Sequence, residues 1–505
     1  MKTLSSTWSS VFTCLTSEKV IKVFRWVLIA GLIFFIPWLL FYAGNVFVTL
    51  GPVEYREGAN LLLTDYILHG KNPFLLNNQP LMNTNKGAFY NLVMLPFAAL
   101  FGNTLAIHRI ISILFILLAS ALVGWSLLRF KTGLPFALAG GSIVFASLLF
   151  LTGPISRADG LGTFLYLVAG IMPFMRKFDR TSLAISALAG ILAFFTKPYF
   201  LLSVGVVALY LFLFDSKKKG FLYGVITIMV LLAICLVVRK FFPCYFLNTI
   251  LNNTSNGANH VDFLVNQLIR FSEIFAPLIL IFLLTNRIHL NRPFVQIPYD
   301  YFGFFFLCAS AAILVLGQNN GNYMVYLFQL MTPPLVILAF KNLDSTKTWS
   351  AITVPLTLLN LGLLCFWMLY PNTPPSGDQW KEVDQLLASS KKVLNSPVLV
   401  SEMVRLGLQP IDSGSSQYYY RTDSYSGNLI APDYAATKMR GDDYLYEIET
   451  TIKEKGFDRI IITSGSSPFA KVDLISQYYV HVKDFNISMP QSNENWVLED
   501  WEPIK

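Results

Sequence analysis

The chain has 505 residues, of which 54% are hydrophobic and 13% charged, where soluble domains run at about 25% charged. That composition excludes an ordinary soluble globule and fits a protein whose apolar side chains are solvated by lipid. The formal net charge of +8 does not point to nucleic acid, because the basic residues stand in short clusters between apolar runs, as the positive-inside rule requires.

A span needs about 20 apolar residues. Stretches at roughly 24–50, 105–128, 134–152, 159–175, 182–196, 198–214, 221–241, 272–286, 300–317, 323–340 and 350–370 qualify. The first is too long for a cleavable signal and lacks a small-residue cleavage pattern. Basic clusters precede the first span (Lys19, Lys22, Arg25) and follow the second (Arg129, Lys131), fourth (Arg176, Lys177, Arg180), sixth (Lys217 to Lys219), eighth (Arg287, Arg292) and tenth (Lys341, Lys347). One orientation satisfies them all, with the N-terminus in the cytoplasm and the C-terminus outside. The apolar segment 87–102 would break this alternation if it spanned, so it reads as an interfacial or re-entrant helix. The chain holds five cysteines, four of them in or beside apolar runs and none in a CxxC pair. That pattern gives neither a disulfide framework nor a thiolate metal site.

The first outer loop, 51–104, opens with GPVEYREGANLLLTDYILHG. Pro52 suits the first turn of a helix and Gly70 its stop. Leu61, Leu62, Ile67 and Leu68 give an apolar side, so the segment reads as an amphipathic helix at the membrane surface. Glu54 and Glu57, three apart, share a face. They read as a catalytic base or metal ligands, or as acids that complement the helix dipole.

Further polar groups fall on the same outer face. Arg157 and Asp159 stand at the mouth of the fourth span, where ionisable groups have a function or anchor a helix end. Lys197, before Pro198, reads as a phosphate ligand or as a lysine snorkelling to headgroups. His108 and Arg109 open the second span, for which anchoring is the simpler reading. Gln318–Tyr323 (QNNGNY) is a polar outer turn that reads either as a hydrogen-bonding site for a sugar, with Asn322 and Tyr323 as candidates, or as a turn alone. The stretch 242–271 reads as a loop and a surface helix.

The tail from 372 to 505 is polar and reads as a small soluble α/β domain after a linker at Pro371, Pro374 and Pro375. Val398–Ser401 and Arg459–Thr463 read as buried strands, and Asp443–Lys455 as an amphipathic helix. The fold class is therefore mainly α: a polytopic transmembrane bundle of about 11 spans over residues 1–371, followed by an extracytoplasmic α/β domain.

The ordered set of outer motifs resembles the GT-C class of membrane glycosyltransferases, family 39-like, which includes protein O-mannosyltransferases and lipid A aminoarabinose transferases. The matching features are Glu57-Gly58 opening a helix after the first span, the stretch Gly70–Pro73, and the aromatic helix Phe89–Gly102. Arg109, Arg157-Ala158-Asp159 and Lys197-Pro198 complete the set over residues 50–340. Many relatives carry an Asp-Glu pair in the first loop, whereas here Tyr55-Arg56 separates Glu54 from Glu57. The resemblance implies a bacterial inner-membrane enzyme that moves a sugar from a polyprenyl-phosphate donor to a hydroxyl of a lipid, glycan or protein acceptor, by inversion.

A carboxylate must accept the hydroxyl proton, a role for Glu57, favoured, or Glu54. Cations must stabilise the departing phosphate, a role for Arg157, Lys197 and Arg109. Metal dependence varies among such enzymes, and Glu54, Glu57 and Asp159 are the candidate ligands of a divalent ion. A transporter or flippase would instead place charges near the bilayer midplane and show inverted repeats. A non-catalytic membrane subunit would leave the outer charges unexplained.

Overall fold

The computed structural model describes residues 18–49, 51–84, 86–151, 155–251, 260–285, 300–318, 324–343, 350–369, 377–414, 434–463, 468–469, 471–489 and 494–505. Asn322 and Tyr323 lie outside the described residues.

Each of the eleven apolar stretches is helical. They form α1 (Glu18–Val48), α4 (Leu105–Arg129), α5 (Leu134–Leu151), α6 (Asp159–Met175), α7 (Arg180–Phe194) and α8 (Pro198–Asp215). The remainder are α9 (Lys217–Phe241), α10 (Val261–Thr285), α11 (Tyr301–Leu316), α12 (Leu327–Phe340) and α13 (Ser350–Leu369). Six of these are long and apolar enough to cross a membrane by length and composition. The first loop adds α2 (Glu57–Leu68) and α3 (Phe89–Phe101). α9 turns Leu232, Leu236 and Val237 outward, each more than half exposed, the pattern of a helix that faces lipid. The interior is apolar and aromatic: Phe174 stacks on Tyr301 at 4.9 Å, and Tyr166 meets Phe305 at 5.3 Å.

Three local expectations change. First, α2 begins at Glu57, not near Pro52; residues 51–56 form a turn closed by the Glu57 amide donating to the Glu54 carbonyl at 3.0 Å. Gly70 does end this helix, at φ +69°. Second, α2 is not a one-sided surface helix. It is buried from Leu61 to Thr64 because the tail packs on its outer side. A Cβ added at Gly58 would lie 2.8 Å from the Ser401 amide nitrogen. Third, the end of the 242–271 stretch is no separate surface helix, because α10 runs unbroken from Val261 through the eighth apolar stretch.

The tail contains α14 (Gly377–Ala388), β1 (Val393–Asn395), α15 (Val400–Arg405), α16 (Tyr434–Lys453), β2 (Arg459–Ile462), α17 (Val472–Ile475), β3 (Tyr479–Met489) and β4 (Glu494–Pro503). The sheet order is β1-β2-β4-β3, with β1 and β2 parallel and the other pairs antiparallel. The expected strand at Arg459 is present, and the expected helix is longer at its start. Val398–Ser401 is not a strand: Pro397–Leu399 is a short 3-10 turn leading into α15. A short apolar run such as Val398–Val400 is buried in either conformation, and Pro397 suits the first turn of a helix.

The tail sits on the first loop. Tyr55 and Trp496 rings lie 5.3 Å apart, and Ser413 Oγ donates to the Leu81 carbonyl at 2.6 Å.

Candidate active site

Glu57 is fully buried, and its carboxylate is saturated. Arg109 Nε donates to Oε1 at 2.9 Å and Nη2 to Oε2 at 2.7 Å. The Ser156 amide donates to Oε1 at 2.8 Å and the Val53 amide to Oε2 at 2.8 Å. Arg109 spends its remaining donors on the carbonyls of Val46, Thr49 and Gly51. A bidentate arginine–carboxylate pair with every donor used is a structural clasp. It ties the end of α1, the 51–57 turn, α4 and the loop before α6 into one body. Beside it, His108 is enclosed by Tyr90, Ser156 and Asn103, an anchoring arrangement.

Glu54 lies three residues away and differs. It is 3% exposed, its Oε1 accepts from Arg56, and its Oε2 has no hydrogen-bond partner. Lys86, also 3% exposed, points its Nζ into the same region without a partner. Arg157 completes the group, its Nε 3.1 Å from Asp159 Oδ2 in an ion pair. Asp159 Oδ1 accepts from Lys197 Nζ at 2.6 Å and Gln329 Nε2 at 2.7 Å, and Tyr199 OH donates to Gln329 Oε1 at 2.7 Å. Glu54 feels the charges of Arg56, Arg157 and Lys86, Lys86 feels those of Arg157, Glu54, Arg56 and Lys197, and Lys197 feels those of Asp159, Arg157 and Arg56. Four cations therefore face two carboxylates, an excess of positive charge held in a poorly solvated place.

The electrostatics follow from that excess. Burial raises the Glu54 carboxyl, but Arg56, Arg157 and Lys86 together outweigh it, so Glu54 sits below the usual glutamate range and is ionised at neutral pH. Burial holds the Lys86 ammonium well below the usual lysine range, helped by Arg157 and opposed by Glu54. Burial also brings Lys197 down to about 8, against the pull of Asp159. A buried lysine with a weakened hold on its proton is poised to receive an anion.

The fold thus brings Glu54, Arg157, Asp159 and Lys197 into one buried cluster, whereas Glu57 and Arg109 are engaged with each other. Lys86, Gln329 and Tyr199 were not singled out in the sequence. Two signals could have found them: Lys86 is a basic residue in a loop that the expected topology assigns to the face poor in them, and Gln329 is a polar residue inside an apolar span. Among the described residues no group of three or more His, Cys, Asp or Glu side chains converges to hold a metal ion. Glu57 is taken by Arg109 and Asp159 by two cations, a donor set that suits an anion better than a divalent cation.

No protein-family model matches the chain, and no curated protein matches it in sequence. In three dimensions it is similar to two solved structures of ArnT from Cupriavidus metallidurans, one bound to undecaprenyl phosphate and one in the apo state. The bound structure superposes with a TM-score of 0.54 at 13% identity and the apo structure with 0.57 at 12%. Each comparison covers 92% of this chain and 97% of ArnT. Similarity at that identity is a similarity of fold. The chain is an integral membrane protein with the GT-C-like fold of ArnT.

Proposed function

We propose that this protein is a membrane glycosyltransferase that moves a sugar from a polyprenyl-phosphate donor to an acceptor hydroxyl, with inversion, at the outer membrane face. The observation that carries the reading is the pairing, in one buried cluster, of an ionised carboxylate with an oxygen that has no hydrogen-bond partner and a lysine Nζ that has none. Transfer of this kind needs both. The shared fold with a protein whose structure was solved with undecaprenyl phosphate supports the donor class.

Glu54 Oε2 accepts the proton of the acceptor hydroxyl as its oxygen attacks C1 of the sugar. The C1–O bond to phosphate breaks, and the electron pair leaves on the polyprenyl phosphate. Lys86 and Arg157 receive that developing charge. Lys197 is held by Asp159, which Gln329 also steadies, so its ammonium meets the phosphate from a fixed position. The role first given to Glu57 passes to Glu54, because a carboxylate that already accepts four hydrogen bonds has no lone pair in reach of a substrate. Arg109 stays with Glu57 and holds the turn that carries Glu54. The tail packs on the loop that carries Glu54, through Trp496 on Tyr55 and Ser413 on Leu81. The charges gather at helix ends and not at the midplane, which disfavours a transporter.

The test is to supply the purified protein with polyprenyl-phosphate sugars and an acceptor extract and to measure release of polyprenyl phosphate. Release that Glu54→Gln and Lys86→Met abolish or slow supports the reading. Wild-type protein that releases none from hexosyl or pentosyl donors contradicts it.

A further inference from the structure

α12 opens with a π-helical turn, Leu327–Met331, before it becomes a regular helix at Thr332. The sequence explains the turn. Pro333 and Pro334 have no N–H, so the carbonyls four residues earlier, at Gln329 and Leu330, lose their helical donors, and the proline rings crowd them. The Leu330 carbonyl takes the Tyr166 hydroxyl instead, at 3.3 Å. π-Turns of this kind are frequent at functional sites. This one carries Gln329, a fully buried polar side chain in an apolar span. Such a group is costly unless its polar atoms are paired.

Both ends of the Gln329 amide are paired, and chemistry fixes which way it points. Asp159, as a carboxylate, can only accept, so Nε2 faces it and donates to Oδ1 at 2.7 Å. Oε1 is left for the Tyr199 hydroxyl, which donates to it at 2.7 Å. The same Asp159 oxygen also accepts from Lys197 Nζ at 2.6 Å. Two donors therefore share one carboxylate oxygen. A lysine ammonium has three N–H donors, and among the described residues Asp159 is the one hydrogen-bond acceptor that Lys197 meets. The Tyr199 ring lies 5.7 Å from the same Nζ. Besides Asp159, the charges that reach Lys197 are all cationic: Arg157 and Arg56, and Lys86.

We propose that Gln329 is a positioning residue of the transfer site: its amide, turned by Tyr199, takes a share of Asp159 Oδ1 and so leaves Lys197 loosely enough held to meet a phosphate. The proposal rests on the transfer reading and adds to it the two residues that set how tightly Lys197 is kept. The cause is electrostatic. The N–H end of an amide beside an ammonium disfavours the charged form, and a carboxylate with a second donor attracts the first less. Without the amide, Asp159 draws Lys197 into a closed ion pair. The lysine then holds its proton more tightly and offers less of it to a ligand. Loss of the Tyr199 hydroxyl acts in the same direction and more weakly, because an amide without that partner can turn Oε1 toward the ammonium.

The experiment measures binding of radiolabelled undecaprenyl phosphate to the full-length protein in phosphatidylcholine nanodiscs, against empty nanodiscs. It runs from about pH 7 to about pH 10, above the second ionisation of a phosphate monoester near about 6. Wild-type affinity falls as pH rises through about 8, where Lys197 loses its proton. Gln329→Met weakens binding about tenfold at neutral pH and moves the fall up by about one pH unit, the scale of one hydrogen bond to a charged group. Tyr199→Phe moves it the same way by less. A purely structural role for Gln329 lowers the unfolding temperature and leaves the pH of the fall where it was, and that result overturns the proposal. If Gln329→Met does not fold, Tyr199→Phe decides, and an unmoved fall in that variant overturns the proposal equally. A fall that moves down in either variant also overturns it. In each of these cases the transfer reading stands, because the wild type binds. Wild-type protein that binds no undecaprenyl phosphate saturably overturns the donor reading and this inference with it.

Discussion

Two carboxylates three residues apart have opposite environments. Glu57 is clasped by Arg109 and two backbone amides, so nothing is left over. Glu54 keeps one oxygen without a partner, close to a lysine that has none at all. A saturated buried charge is a part of the scaffold; an unsaturated one waits for a substrate, because a buried polar group left unpaired is costly unless something comes to pair it. The same contrast holds among the cations. Arg109 is consumed internally, whereas Lys86 Nζ has no hydrogen-bond partner and Arg157 Nε meets Asp159 only as an ion pair.

The largest effect that would break this contrast is on folding. Glu57→Gln leaves Arg109 buried and unmatched, a loss of about 3–5 kcal/mol for a broken buried pair. A lower unfolding temperature and poor yield in detergent are the readouts. Replacing both partners with apolar residues of similar size, Glu57→Leu with Arg109→Met, costs less than either single change. If the single Glu57→Gln protein is as stable as wild type, the clasp is not structural.

Next comes catalysis. Glu54→Gln lowers kcat by about 10²–10⁴-fold, the usual worth of a general base, with the unfolding temperature unchanged. Lys86→Met acts on donor binding, raising the donor KM by about ten- to a hundredfold, the scale of a charge-assisted hydrogen bond. Titration of donor affinity sharpens the point. Lys86 and Lys197 both hold their protons less tightly than ordinary lysines, Lys197 down to about 8. A phosphate binds the ammonium form, so affinity is fullest at low pH and falls as pH rises through about 8. Affinity that rises with pH over that range contradicts the assignment. The smallest effect is at the tail contact: Tyr55→Ala removes the ring packed on Trp496 and costs about 0.5–1.5 kcal/mol, read as looser closure in hydrogen exchange across residues 51–57.

The sequence carried the bundle well, because eleven apolar stretches and the basic clusters between them follow directly from the solvent the helices meet. It also carried part of the charged cluster, since Arg157, Asp159 and Lys197 stand at helix ends and meet in ion pairs. It could not separate Glu54 from Glu57: the difference lies in Arg109 and Ser156, 52 and 99 residues further along the chain. Lys86 sits in an irregular stretch with no periodicity to point at it. In the tail, the long β3 was missed because a bulge between His481 and Lys483 shifts its register. Such a bulge breaks the two-residue alternation by which a strand is recognised.

The central claim is that Glu54, not Glu57, faces the reaction. It is tested most directly by measuring polyprenyl phosphate release and unfolding temperature together for Glu54→Gln. The account predicts a protein as stable as wild type with turnover reduced at least about a hundredfold. A stable Glu54→Gln protein that turns over at the wild-type rate contradicts it.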